Sequence, residues 1–142
     1  MPSPDRECAP AEVWLSRAKS NLELARLRPT HGVWLEDLCF NAQQAAEKAL
    51  KAVLIHRKLP FRYVHDLQEL MTPLLQRGVE IPEDVQTSAI LTHYAVAARY
   101  PGDDEPVTED EYREYKFILH SQGLFLQFQV SATEPDGHLA SR

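Results

Sequence analysis

Residues 39–58 read CFNAQQAAEKALKAVLIHRK, with five alanines and neither glycine nor proline. Strong helix formers fill the stretch, and the spacing predicts one long helix from about Trp34 to Lys58. At about 100° per residue, Leu35, Leu38, Ala42, Ala45, Ala46, Ala49 and Val53 fall on one side. Small side chains there let neighbouring helices approach closely, so this side is assigned to the core. Gln44, Glu47, Lys48, Lys51 and Lys58 gather elsewhere, within roughly 60° of their mean direction. Such a stripe is either a solvated face with i,i+4 pairing or a surface for a partner. Phe40 and Ile55 point near the same polar side, which favours a partner, because solvent rarely selects apolar neighbours.

Working outward, a first helix is expected over Ala9–Arg28, with Pro10 near its first turn. Ala11, Trp14, Leu15, Ala18, Leu22 and Ala25 form its apolar stripe at 3–4 spacing. A third helix is expected from His65 to Gly78, with a kink or division at Pro73. Pro82 suits the first turn of a fourth, which ends at "YPG". Thr108 and Glu111 make a capping-box pattern at the head of a fifth. The core positions of that helix are read as Tyr115, Ile118, Leu119, Phe125 and Leu126. No stretch alternates as a strand. The fold class is therefore all-α, an up-and-down bundle of about five helices over residues 9–132, between flexible tails at 1–8 and 133–142.

The chain has 142 residues, a single-domain length, and its 44% apolar and 25% charged composition is ordinary for a globular protein. A net charge of −6 argues against a general nucleic-acid coat but leaves room for a local basic site. Cys8 and Cys39 match no metal or redox spacing, and no cofactor or metal is implied. With no apolar run of spanning length and no signal-peptide core, the expected location is the cytoplasm.

"AQQAAEKALKAVL", then "HDL" at 65–67 and "ARYPG" at 98–102, resemble in order and spacing the HEPN family, the higher eukaryotes and prokaryotes nucleotide-binding domains. The resemblance covers about Trp14 to Val130. It implies a compact helical bundle that commonly dimerises and is often encoded beside a small nucleotidyltransferase in a toxin–antitoxin-like pair. The ribonuclease branch of that family carries Arg-x(4–6)-His, an arginine to hold phosphate and a histidine to move protons. Arg99 matches the arginine. The positions for the histidine hold Asp104, Glu105 and Pro106. Carboxylates there, with Asp103, repel an approaching phosphate. His93 faces away from Arg99 on a helix, while His65 and His120 are distant in sequence. Arg99 is alternatively a helix-closing cation paired with Glu47.

Lys48, Lys51, Arg57, Lys58 and Arg62 occur before His65 with no carboxylate among them. Lys48, Lys51, Arg57, Arg62, His65 and Arg99 are therefore the candidates for holding a nucleotide or phosphate; the alternatives are an acidic partner or plain solubility. The function expected is a dimeric, non-catalytic module for nucleotide, RNA or protein, with a small nucleotidyltransferase as partner. The alternative is a ribonuclease toxin with a degenerate motif, in which Arg99 is catalytic.

Overall fold

Pro10 opens the first helix, α1 (Ala11–Ala25), in extended backbone with φ −69°, and its carbonyl accepts from the amides of Val13 and Trp14. The structure is a computed structural model that describes residues 9–28, 30–87, 89, 107–108, 110–114, 116 and 120. Helix α1 stops short of the expected Arg28, because Pro29 disfavours helical backbone in the residue before it. Its buried stripe is Ala11, Leu15, Ala18, Leu22 and Ala25, small and large residues in turn.

The opening stretch lies in α2 (Leu35–His56), which packs along α1. Contacts from Trp14 to Lys51 and from Asn21 to Asn41 run in reverse order along the two helices, so they are antiparallel. Ala42, Ala45, Ala46 and Ala49 are buried on α2, as the wheel requires, and so is Ala52. Leu35 sits at the edge of the core rather than inside it. Leu50, Leu54, Leu67, Leu70, Met71 and Leu74 fill the rest of the centre. Truncating one of these to alanine costs roughly 2–5 kcal/mol.

Helix α3 (Leu67–Gln76) packs on α2 and begins at Asp66, whose side chain accepts from the Gln68 amide. Pro73 lies inside α3 without dividing it. The ring removes one backbone donor, but Leu67, Leu70, Met71 and Leu74 continue the buried stripe past it, and that burial outweighs one bond. Helix α4, described over Glu83–Thr87, follows Pro82, whose carbonyl accepts from Gln86; its expected course to "YPG" lies outside the described residues. The capping box forms as expected: the Thr108 amide donates to Glu111 Oε1, and the Glu111 amide donates to Thr108 Oγ1. Residues 110–114 are helical behind it, with Tyr112 buried. The expected core positions Tyr115, Ile118, Leu119, Phe125 and Leu126 lie outside the described residues. All regular structure among the described residues is helical, an all-α bundle.

Two helices end in the same way. At α3, Gly78 takes φ +80°, its amide donates to Leu75, and the Val79 amide donates back to Leu74. At α2, Lys58 takes φ +57°, its amide donates to Ile55, and the Leu59 amide donates to Leu54. Both are Schellman ends, in which a left-handed residue turns the chain back so that the last carbonyls are satisfied.

Candidate functional site

Gln43 and Glu47 lie one turn apart on α2 and face the loop that leads into α3. The Gln43 amide nitrogen donates to the His65 carbonyl at 3.0 Å and to Glu47 Oε1 at 3.2 Å. Glu47 Oε1 is also 2.8 Å from His65 Nδ1, and Glu47 Oε2 accepts from Lys51 Nζ at 2.9 Å. Side chains of Glu47 and Lys51 are 4% and 5% exposed, whereas that of His65 is 48% exposed. One turn of α2 thus fastens both the backbone and the ring of His65 from inside the bundle.

Burial pushes the Glu47 carboxyl upward, but hydrogen bonds from Lys51 and His65 and the Lys51 charge outweigh it, leaving Glu47 below its ordinary 4.5. An ionised carboxylate is acceptor-only, so the proton shared with His65 sits on Nδ1. The Lys51 ammonium also lies 5.4 Å from the Trp14 ring centroid and 5.6 Å from that of Tyr63. It is enclosed by two aromatic faces and a carboxylate. Trp14 Nε1 is buried beside it, with no hydrogen-bond partner among the described residues.

This arrangement corrects the reading of the α2 stripe as one solvated or partner-facing surface. Gln43, Glu47 and Lys51 are buried, and Lys51 is not available to an external phosphate. The reason is local: Trp14 from α1 and Tyr63 from the loop close over the ammonium. Lys48 is half-buried, and its Nζ donates to Asn21 Oδ1 at 2.7 Å. Burial, with the charges of Arg17 and Lys51, lowers the Lys48 ammonium from its ordinary 10.5 against the pull of Glu47. Phe40 and Ile55 are half-buried, Ile55 against the core.

The remaining candidates lie together on the loop after α2. His56, Arg57 and Lys58 are exposed, and so is Arg62. Arg62 Nε is 3.2 Å from Glu69 Oε2 in an exposed pair, the kind worth about 0–1 kcal/mol. The Val64 amide donates to the Arg62 carbonyl, a tight turn that presents Tyr63 at its apex, 49% exposed. Phe61 supports it, with ring centroids 5.2 Å apart. Arg99, His93 and residues 103–106 lie outside the described residues. The pairing of Arg99 with Glu47 is not described either, and both Glu47 oxygens already accept from Lys51, His65 and Gln43.

Sequence patterning does not single out Asn21, Gln43 or Tyr63, and places Trp14 only in the apolar stripe of α1, because a helical wheel reports direction within one helix and not what a second element brings. The available signal is the tryptophan, whose N–H makes it an imperfect core residue. A separate shallow cavity of about 400 Å³ is lined by Gly32, Val33, Trp34, Leu35, Glu36 and Val107. It contains a carboxylate and no cation, so it is distinct from the basic loop. Among the described residues, no group of three or more His, Cys, Asp or Glu is placed to hold a metal, and no helix is long and apolar enough to cross a membrane.

An alanine-rich second helix is fastened to the start of a third through Gln43, Glu47 and His65 in an all-α bundle. The HEPN domain profile matches residues 11–128, and the chain belongs to the HEPN family. A crystal structure of ST0689, an archaeal HEPN homologue, is similar to it with a TM-score of 0.64 and 25% identity, over 89% of this chain and 99% of that one. No curated protein matches the chain. Two of the three segments on which the resemblance rests, "AQQAAEKALKAVL" and "HDL", meet at Glu47 and His65, and the third, "ARYPG", lies outside the described residues.

Proposed function

We propose that this HEPN protein is a non-catalytic, dimeric binding module that takes phosphate groups of nucleotides or RNA on the loop between α2 and α3, and that it pairs with a small nucleotidyltransferase. The observation that carries the reading is the loop itself: exposed Arg57, Lys58 and Arg62 precede a half-exposed Tyr63 on a chain of net charge −6. Cations that track a backbone, interleaved with an aromatic face for a base, suit single-stranded nucleic acid. Carboxylates at 103–105, after Arg99, speak against cleavage. Phe40, only half-buried on α2, supports a twofold contact between copies, since such a contact buries the same patch twice.

Fluorescence anisotropy with a short single-stranded RNA at low salt tests the loop. Wild type binds, and R57Q/R62Q binds several-fold more weakly, with the affinity of wild type falling as salt rises. Equal binding by the two proteins removes the loop site. Light scattering at tens of micromolar tests the dimer, and a strictly monomeric mass refutes it. Co-purification with the product of an adjacent nucleotidyltransferase gene tests the partner.

A second reading, a ribonuclease, draws support from the Glu47–His65 pair. A buried carboxylate that fixes the proton on Nδ1 of a half-exposed imidazole is an arrangement suited to general acid–base work. Cleavage of RNA by folded wild type, abolished in H65A and retained in R57Q/R62Q, would replace the binding module with this enzyme.

A further inference from the structure

Asn21 joins α1 to α2 through a short chain of amides. Its Nδ2 donates to Asn41 Oδ1 at 3.0 Å, and Asn41 Nδ2 in turn donates to the Asp37 carbonyl at 3.0 Å. That chain decides which way the Asn21 amide faces, leaving Oδ1 toward α2, where it accepts from Lys48 Nζ at 2.7 Å. Lys48 is therefore aimed, although no carboxylate among the described residues lies within ion-pair distance of it. An ammonium carries three donors, and a neutral amide oxygen satisfies one.

Arg17 precedes Asn21 by four residues and shares its face of α1. It is exposed, and its charge bears directly on the Lys48 ammonium. Arg17 thus stands one turn along α1 from the Asn21 that holds Lys48, which places both cations at the α1–α2 seam. The carboxylate whose charge bears on Lys48 is Glu47, and its oxygens accept from Lys51, His65 and Gln43. Like charges approaching in a half-buried place repel, and an external anion between them removes that repulsion.

We propose that Arg17 and Lys48 form a seat for a phosphate oxyanion, with Asn21 as the residue that positions Lys48. A guanidinium fork beside an ammonium suits the two negative charges of a phosphate monoester better than a single carboxylate or a phosphodiester. Tyr63 covers Lys51, less than one turn of α2 beyond Lys48, and is 49% exposed, so its solvent-exposed part can stack a base attached to that phosphate. The inference rests on the phosphate-binding reading for its class of ligand, but uses α1 and α2 rather than the loop.

Calorimetry at low ionic strength with inorganic phosphate, uridine 5′-monophosphate and the dinucleotide UpU tests the seat. Wild type takes up the two monoester-type anions in preference to the diester, and a stronger response to the nucleotide than to free phosphate assigns the source. R17Q, at an exposed position, weakens uptake about tenfold, in keeping with one lost charge-assisted hydrogen bond. R17K restores part of the loss. N21D, which pairs Lys48 with a carboxylate, weakens uptake more than N21A does, a charge signature that a merely structural role of Asn21 would not give. Phosphate uptake by R17Q equal to that of wild type, or none by folded wild type, overturns the seat. If R57Q/R62Q loses RNA while R17Q binds phosphate unchanged, the loop stands and the seat falls. If R17Q loses phosphate while R57Q/R62Q binds RNA as wild type does, the seat stands and the loop falls.

Discussion

Glu47 reaches from the middle of α2 to His65 at the entrance of α3, with Oε1 2.8 Å from the ring Nδ1, while its second oxygen holds Lys51 at 2.9 Å. Two elements far apart in sequence are thereby joined by one ionised carboxylate inside the bundle. The consequences for stability depend on which partner is removed.

K51M leaves the buried Glu47 charge without its lysine partner. Breaking a buried pair from one side costs about 3–5 kcal/mol. Replacing both ends, in E47L/K51M, removes the stranded charge and recovers much of that loss. Urea denaturation of the three proteins checks this. A double variant less stable than K51M would mean that the pair itself, and not the stranded charge, carries the stability.

Acid should act through the same carboxylate. Its folded value lies below the ordinary 4.5, so the unfolded chain binds the proton more readily than the folded one. Glu47 therefore contributes stability that is fully present above its unfolded value and is lost as pH falls through the folded one. Urea midpoints measured from neutral pH into acid should show wild type and E47Q converging as pH falls. A constant gap between them would rule out this linkage.

Cys39 should be unreactive while the chain is folded. It is fully buried on α2, and burial, together with Glu36 and Glu111, pushes its thiol up to about 12. The thiolate is the reactive form, so almost none exists near neutral pH. In a C8S background, a thiol reagent at pH 8 should label Cys39 only after denaturant is added. Rapid labelling of the folded protein would show that α2 opens readily.

Periodicity was enough to read the α1 and α2 stripes, because alanine and leucine at 3–4 spacing leave one choice of buried face. The Thr108–Glu111 box was equally legible, since both of its bonds lie within four residues. Pro73 illustrates the limit: a local rule expects a break, and burial on both sides of the ring overrides it. The site was legible only as a set of cations. Whether Lys51 meets solvent depends on Trp14 and Tyr63, which arrive from other elements. Arg57 and Arg62 on the loop follow the sequence reading in being exposed.

Lys58 occupies the left-handed position at the end of α2 that Gly78 occupies at the end of α3. A side chain there crowds its own carbonyl, at a cost of roughly 1–2 kcal/mol, partly offset because glycine loses more freedom on folding. K58G should accordingly raise the urea midpoint by the equivalent of about 0.5–1 kcal/mol, and an unchanged or lowered midpoint would contradict the strain. The same exchange strips a positive charge from the loop proposed to hold nucleic acid. Thermostability and ligand capture thus compete for a single residue, and a selection for heat resistance alone would be expected to erode binding at this corner first.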